Sequence, residues 1–429
     1  MISRLACSVN QLLLKYKSTN IFILAGSSAG ANLLAVVITP LLSRLYTPES
    51  FGIFASFTAI TALLNAFSSL RLEVAIPVVP RDRDANNLAF TCAVLVSCFV
   101  IVIAILIPFS RDYLACWNDF RRIDQFLWLV PVAVFSLGIF QVLSYCAIRA
   151  NAFKTLARVK LCQSLSNSLF TIFLAGLGPL GLILSQTLMQ GLAVAQFIRA
   201  RVFRLESISI FKLSFIRHFL ARFSDFVLYN TPSGLVNVAA SSMPVILLSS
   251  YFGQDQIGQF FLAQKLLLFP ASLVGTSVSQ VYLGSAREAL GEGNIRHIML
   301  AYARKLFVVG AVFCVVAYLL SPLIIPVLFG AKWTLASKLV VLLLPLLLGN
   351  LVVSTLSATY YVARAVRVEL FAQCLFAMLS VFPAWISCAL KNNFQDTILV
   401  YSIASAIGYF AYGGIMLASL PNPSSGKLS

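Results

Sequence analysis

Apolar runs of about 20 residues recur along the whole chain, separated by short polar stretches. A helix rises about 1.5 Å per residue, so about 20 apolar residues cross a hydrocarbon layer roughly 30 Å thick. Strands of a membrane barrel are about half that length and alternate strictly, which these runs do not. The pattern predicts an all-α polytopic membrane protein. Its twelve transmembrane helices are expected at about 20–42, 51–70, 88–109, 126–147, 161–177, 179–198, 226–251, 257–283, 306–329, 339–362, 369–390 and 397–419.

Composition supports this interpretation. The chain has 429 residues, of which 60% are hydrophobic and 10% charged, and its mean hydropathy is +0.92. Soluble domains carry about 25% charged residues. The nine cysteines form no CxxC pair, and both histidines, His218 and His297, lie in predicted loops. The sequence therefore predicts no disulfide framework, metal centre or cofactor, and it has no Gly-rich loop for ATP.

The basic residues predict the orientation of the spans. With the N-terminus placed inside, the inner connections and both tails hold most of the 31 Lys and Arg residues. The outer connections hold only Arg44, Arg111, Arg121, Arg122, Lys332, Lys338 and Lys391. This asymmetry follows the positive-inside rule and places both termini in the cytoplasm. The net charge of +17 is then an orientation signal beside anionic membrane lipid, and no nucleic-acid partner is expected.

Short motifs recur six spans apart and indicate a duplication. Pro40 precedes an aromatic turn and a Gly-x-Phe at Gly52, and Pro244 precedes the same arrangement at Gly258. Six is an even number, so the two halves share one orientation about an axis along the membrane normal. Further pairs in the same order are Pro108 with Pro326, Pro131 with Pro345, and Arg149 with Arg364.

The duplication predicts two pseudo-symmetric six-helix bundles around a central cavity, the architecture of a secondary transporter. The expected divisions are an N-terminal bundle at 1–200, a basic cytoplasmic linker at 201–225, a C-terminal bundle at 226–420 and a cytoplasmic tail at 421–429. No connection is long enough to bury a core of its own, so function is expected to reside in the spans.

Several stretches resemble one family over essentially the whole chain. They are "TPESFGIFASFTAI" from Thr47, "SSLRLEVAIPVVPRDRDANNLAF" from Ser68, "YFGQDQIGQFFLAQKLLLFPASLVG" from Tyr251 and "LFGAKWTLASKLVVLLLP" from Leu328. They are similar to bacterial lipid-linked oligosaccharide flippases (Wzx-type, polysaccharide biosynthesis family). These flippases belong to the multidrug/oligosaccharidyl-lipid/polysaccharide exporter superfamily.

The resemblance implies a flippase and not an enzyme. The implied substrate is an undecaprenyl-pyrophosphate-linked oligosaccharide, a repeat unit of O-antigen, capsule or exopolysaccharide. It would move from the inner to the outer leaflet of the bacterial cytoplasmic membrane by alternating access, beside a polysaccharide polymerase and chain-length partners. The alternative is an ion-coupled multidrug or small-molecule exporter of the same superfamily. An integral glycan polymerase is disfavoured because the largest outer connection spans only about 110–125.

Lys265 is the clearest cation inside a predicted span. Ser272 and Thr276 follow it at offsets of seven and eleven, which share a helical face. A charged residue within a span costs roughly 2.5–3.5 kcal/mol on insertion scales and normally faces protein or water. These three residues therefore predict one wall of a hydrated, substrate-binding cavity. The alternative is that Lys265 snorkels to the headgroups.

Other candidates lie near span ends. Arg71 is a candidate to receive the pyrophosphate, and Glu73 is a candidate to bind a coupling ion; alternatively both pin the end of the second span. Asp225 is a second ion-coupling candidate, with a helix N-cap as the alternative. Arg149 and Arg364 are expected to anchor inner span ends in the membrane, with guidance of the substrate as the alternative.

The seventh span carries a polar stripe formed by Asn230, Ser233, Asn237 and Ser241. Neutral amides and hydroxyls suit sugar recognition, so Asn230 and Asn237 are substrate-binding candidates. Hydrogen bonding between helices is the alternative.

Overall fold

A computed structural model describes residues 26, 30–31, 33–77, 79, 81–114, 121–201, 231–292, 294–363 and 365–420. Nearly all of them are helical, and no strand forms among them, which confirms the all-α prediction. The helices are α1 (Thr39–Leu45), α2 (Pro48–Ser68), α3 (Asp82–Leu114), α4 (Arg121–Asp124), α5 (Val130–Arg149), α6 (Phe153–Phe173), α7 (Pro179–Arg199), α8 (Thr231–Tyr251), α9 (Gln254–Glu292), α10 (Ile295–Phe329), α11 (Thr334–Leu342), α12 (Leu344–Leu356), α13 (Thr359–Val362), α14 (Val366–Ala389) and α15 (Phe394–Ala418). Short 3₁₀ segments lie at Leu72–Ala75, Leu127–Leu129, Ala175–Leu177 and Ala331–Trp333.

Among these residues, nine helices are long and apolar enough to cross a membrane, or ten if the bent pair at 331–356 is one span. The helix α6 is not among these ten. It has the length of a span but carries Lys154, Arg158 and Lys160 in its first half. The first predicted span falls largely outside the described residues. The helices are therefore consistent with the predicted twelve-span arrangement. The helices α9 and α10 extend beyond the predicted limits of their spans into the polar connection between them.

The tenth predicted span is not one straight helix. It bends by 53° between Leu342 and Leu344. Pro345 lies in the first turn of α12. In a continuous helix its ring would clash with the carbonyl four residues earlier, and proline has no backbone N–H to donate to that carbonyl. The bend therefore follows directly from the sequence.

The helix α2 has clear start and stop signals. Thr47 is its N-cap, and the Thr47 hydroxyl accepts a hydrogen bond from the Ser50 amide at 3.2 Å. Pro48 occupies the first turn, where the missing N–H costs nothing. The helix ends at Ser68, and Leu70 and Arg71 then adopt left-handed backbone with φ of 52° and 55°.

The two halves cross at the start of α2 and α9. A methyl group on Gly52 would overlap the Gln254 carbonyl, and one on Gly258 would overlap the Pro48 carbonyl. Gly52 therefore faces the backbone at Gln254, four residues before Gly258. In the same way, Gly258 faces the backbone at Pro48, four residues before Gly52. This reciprocal contact is what two copies related by a two-fold axis produce, and it joins the two motifs that recur in the sequence.

Side chains join the halves beside this crossing, between residues 43–46 and 327–333. The Lys332 ammonium donates to the Tyr46 carbonyl at 2.7 Å, and the Trp333 indole donates to the Ser43 carbonyl at 3.0 Å. In the other direction, the Arg44 guanidinium donates to the carbonyls of Val327 and Leu328, at 3.2 and 3.3 Å. We call this set of contacts the latch. It closes one end of the seam between the halves.

Candidate substrate cavity

A cavity of about 720 Å³ lies between the two halves. Its volume is within the range of ligand pockets. Arg71, Val74 and Tyr145 line it from the N-terminal half, and all its other lining residues belong to the C-terminal half. The cavity is therefore shared between the bundles but is built mostly by one of them.

The backbone after α2 aims Arg71 into the cavity. Left-handed backbone in a non-glycine residue costs roughly 1–2 kcal/mol, so neighbouring contacts must hold it. One such contact is the Thr231 hydroxyl of α8, which donates to the Leu70 carbonyl at 2.9 Å. The turn that carries Arg71 is thus tied to the opposite half.

The Arg71 side chain lies directly against α8. A methyl group on Gly234 would overlap the guanidinium and lie 2.7 Å from Arg71 Cδ, so a side chain at Gly234 would displace Arg71. No described residue forms a hydrogen bond or an ion pair with the guanidinium, which is half-buried in the cavity wall. Among the described residues, Arg71 is therefore a cavity-lining cation without a counter-ion.

Arg149 holds the segment that follows Arg71. Its guanidinium donates to the carbonyls of Ile76 and Val79 and forms an ion pair with Asp82 at 2.8 Å. The Arg149 side chain is only 16% exposed. The expectation that Arg149 anchors a span end in the membrane is therefore wrong, because its donors are used inside the protein. Its partner in the repeat, Arg364, lies outside the described residues.

We expect Arg149→Ala to loosen residues 70–82 and to lower the stability of the protein. Buried carbonyls that lose their donor cost about 1–3 kcal/mol. Asp82→Asn is the matched control, since the Asp82 side chain is 94% exposed and surface ion pairs contribute little. Hydrogen–deuterium exchange of the 70–82 peptide should rise in Arg149→Ala and change little in Asp82→Asn. Equal exchange in both variants would contradict the role of Arg149 in holding residues 70–82.

The structure places the other candidate residues unevenly. Asn237 lines the cavity together with Ser233 and Ser241, the described members of the polar stripe. Asn230 and Asp225 lie outside the described residues. Lys265 is half-buried and does not line the cavity, whereas Gln264, one position earlier, does.

Ser272 and Thr276 are exposed and bond to their own helix. Their hydroxyls donate to the carbonyls of Phe269 and Leu273, at 2.7 and 3.1 Å. Neither residue lines the cavity.

The two carboxylates near the cavity have different surroundings. Glu73 is 4% exposed, accepts a hydrogen bond from the Ser69 hydroxyl and does not line the cavity. It does not share an α-helix with Arg71, because the chain there is a turn followed by a 3₁₀ segment. Glu369, which the sequence analysis did not single out, is 7% exposed and lines the cavity from α14. The sequence did contain a signal for Glu369, because a carboxylate inside a predicted span is rare and usually functional.

Similar folds occur in solved membrane transporters. The chain is similar to a lipid II flippase, MurJ, in an inward closed conformation, with a TM-score of 0.72, 15% identity, and coverage of 91% of this chain and 86% of that one. It is also similar to an inward-facing multidrug resistance MATE family transporter of the MOP superfamily, with a TM-score of 0.61, 15% identity, and coverage of 92% and 94%. A Vibrio cholerae MATE transporter, VcmN, matches with a TM-score of 0.61, 15% identity, and coverage of 96% and 97%. No curated protein sequence matches the chain.

The chain shares the fold of these transporters, and its long apolar helices define a multi-pass membrane protein with a cavity between two related halves. A family model described as "Polysaccharide biosynthesis protein" matches residues 41–338. The chain belongs to this polysaccharide biosynthesis family.

Proposed function

We propose that the protein flips an undecaprenyl-pyrophosphate-linked oligosaccharide from the inner to the outer leaflet of the bacterial cytoplasmic membrane. The observation that carries this proposal is Arg71, a cation in the cavity wall without a counter-ion among the described residues. A diphosphate brings about two negative charges, and burying them without a counter-charge costs several kcal/mol or more per charge. A transporter that passes this headgroup through its interior requires such a cation.

The latch gives the cavity a direction in this proposal. With both termini in the cytoplasm, the latch lies at the outer face and Arg71 at the inner face. The structure then corresponds to a state that is closed to the outside, in which the headgroup reaches Arg71 from the inner leaflet. The lipid tail stays in the bilayer while the halves rock about the crossing of α2 and α9.

We assign a second role to Lys265 at the seam between the halves. It follows Gly258 by seven residues and Phe261 by four, and these offsets share a helical face. Gly258 contacts α2, and the Phe261 ring lies 6.0 Å from the Phe54 ring of α2. Lys265 therefore continues the face of α9 that meets the N-terminal half. In the proposal it receives the diphosphate after Arg71, when the seam opens, and Ser272 and Thr276 extend that path.

We expect Lys265→Glu to stop transport, whereas Lys265→Arg should retain a substantial part of it. A carboxylate at the seam repels the diphosphate, and an arginine keeps the positive charge. Surface polysaccharide in a strain that depends on the variant, normalised to the amount of inserted protein, measures the effect. Normal surface glycan with Lys265→Glu would remove Lys265 from the pathway.

Glu73 and Asp225 remain proposed ion-coupling residues. Burial of Glu73 against the N-terminal bundle supports its inclusion. Glu369 joins them because it lies in the cavity wall. Proton or cation binding by one of them would couple an ion gradient to the movement of the halves.

Reconstitution tests the proposed function directly. The full-length protein is placed in liposomes that carry undecaprenyl-diphosphate-N-acetylglucosamine, and a membrane-impermeant enzyme or lectin reports how much of the lipid reaches the opposite leaflet. The proposal requires faster appearance than in protein-free liposomes and in liposomes with Arg71→Glu. Equal rates in all three preparations would overturn it.

A multidrug or small-molecule exporter is the second candidate, and Glu369 favours it. A carboxylate buried in a cavity is suited to binding an organic cation and exchanging it for an ion. Drug susceptibility in an efflux-deficient host distinguishes the two functions. An exporter would confer resistance that Glu369→Gln removes, and it would not move the lipid-linked sugar.

A further inference from the structure

The C-terminal half presents an uncharged polar surface to the cavity. We call it the polar wall. It consists of Gln264 on α9, Asn350 on α12, Gln373 on α14, and Tyr401, Ser405 and Tyr409 on α15. Amide and hydroxyl groups from four helices thus converge on one volume, although they are scattered along the sequence.

Internal hydrogen bonds fix the orientation of most of this wall. The Asn350 amide donates to the Tyr409 hydroxyl at 2.7 Å, and the hydroxyls of Ser380 and Ser405 lie 2.9 Å apart. The Tyr401 hydroxyl lies near the side chains of Ser405, Ser380 and Gln264. Fixed donors and acceptors of this kind bind a ligand without first losing conformational freedom.

Gln373 is the member of the wall that points to a ligand. Its side chain is only 5% exposed and lines the cavity. No described residue forms a hydrogen bond with its amide, whereas most buried polar groups in proteins have a partner. Because Gln373 lines the cavity, its amide can pair with a bound molecule that both accepts and donates hydrogen bonds.

An aromatic surface lies beside these groups. The rings of Phe376 and Tyr409 both border the cavity, and their centroids are 4.3 Å apart. A sugar ring has apolar C–H faces and a rim of hydroxyls, so it matches a surface that combines ring faces with amides. A purely apolar drug would leave the amides unpaired.

The charge beside Gln373 restricts the kind of sugar. Glu369 precedes Gln373 by four residues on α14, one helical turn away and on the same face. A uronic acid held by Gln373 would place its carboxylate near that of Glu369, and two buried like charges repel. A neutral sugar meets no such penalty, and the ammonium group of an amino sugar is attracted to the carboxylate.

Taking the proposed flippase function as given, we propose that the polar wall is a glycan subsite that binds neutral or amino-substituted sugars and rejects uronic acids. The diphosphate is then held by Arg71 of one half while the first sugars are held by Gln373, Asn350 and Tyr409 of the other. Neither half alone contains the complete site.

Affinities for three lipids test this proposal with the full-length protein in nanodiscs. The probes are undecaprenyl diphosphate, the same lipid bearing N-acetylglucosamine, and the same lipid bearing glucuronic acid. We expect the N-acetylglucosamine lipid to bind about tenfold more tightly than the bare lipid, as one or two added hydrogen bonds provide. Gln373→Met, which conserves side-chain volume, should abolish this difference without weakening binding of the bare lipid. Glu369→Gln should strengthen binding of the glucuronic acid lipid by about tenfold.

Gln163→Met is the matched control. Gln163 is an amide on α6 that bonds to Gln190 at 2.6 Å and does not line the cavity, so the variant should keep the sugar-dependent difference. Thermal unfolding verifies that each variant is folded. Equal weakening of all three lipids by Gln373→Met, or equal affinity of the wild type for the neutral and acidic sugars, would overturn the subsite. If the wild type binds none of the lipids, the proposed function itself fails.

Discussion

Arg71→Glu should abolish transport, and it should do so without affecting insertion of the protein. The substitution replaces a cation in the cavity wall with an anion, so the diphosphate of the proposed substrate would be repelled instead of attracted. Each charge reversal next to a buried ionic group is worth several kcal/mol, and 1.4 kcal/mol already corresponds to a factor of ten. We therefore expect a loss of at least a hundredfold in the rate of lipid movement.

Arg71→Lys should retain measurable activity but not full activity. Lysine keeps the charge but not the planar, bidentate geometry that suits phosphate oxygens. Gly234 contacts the guanidinium directly, so the shorter contact surface of lysine also leaves a gap against α8. The order of rates should be wild type, Arg71→Lys, then Arg71→Glu.

Arg83→Glu is a suitable control for this series. Arg83 is exposed at the start of α3, in the connection that follows α2. Its reversal changes the basic charge of that connection by the same amount and therefore tests for altered membrane orientation. Transport lost equally in Arg83→Glu and Arg71→Glu would show that orientation, and not the cavity, is affected.

Gly52→Val should prevent the latch end of the seam from closing. Any side chain at Gly52 overlaps the Gln254 carbonyl, and a backbone atom at a helix crossing cannot move aside as a flexible side chain does. Overpacking in a well-packed region typically costs about 1–3 kcal/mol. Separation of α2 and α9 relieves this overlap, so the variant should populate states in which the latch is open.

Crosslinking measures this shift. The Ser43 side chain lies against the main chain of Phe329 across the latch, with Ser43 Oγ 3.4 Å from the Phe329 carbonyl oxygen. Paired cysteines at 43 and 329, in a cysteine-free background, should form a disulfide readily with Gly52 present and several times more slowly with Gly52→Val. Gly253→Val is the control, since a side chain at Gly253 meets nothing within 4 Å. Similar crosslinking in all three proteins would mean that the crossing does not govern closure.

The spans and the duplication could be predicted because they depend on hydropathy and on short repeated motifs. The repeated Gly-x-Phe was visible in the sequence, but its cause was not: Gly52 and Gly258 are required by a contact between two chain segments far apart in sequence. The direction of Arg71 was hidden for a similar reason. It depends on left-handed backbone at Leu70 and Arg71. Neither residue is a glycine, so nothing in the sequence indicated this conformation.

The polar wall was missed because its residues are scattered. Gln264, Asn350 and Gln373 are single amides in apolar stretches, and only tertiary packing shows that they face one cavity. Lys265 drew attention by its charge, yet its neighbour Gln264 is the residue that borders the cavity. Within a helix, one position changes the direction of a side chain by about 100°, and hydropathy alone does not fix that direction.

The latch has a consequence for how this protein tolerates mutation over evolutionary time. Arg44, Lys332 and Trp333 all donate to main-chain oxygens, which every amino acid supplies. The acceptor stretches are therefore free to diverge without breaking the bonds, while the three donors are not. Among descendants of this gene, we expect the latch to persist through large changes in the side chains of the two acceptor stretches.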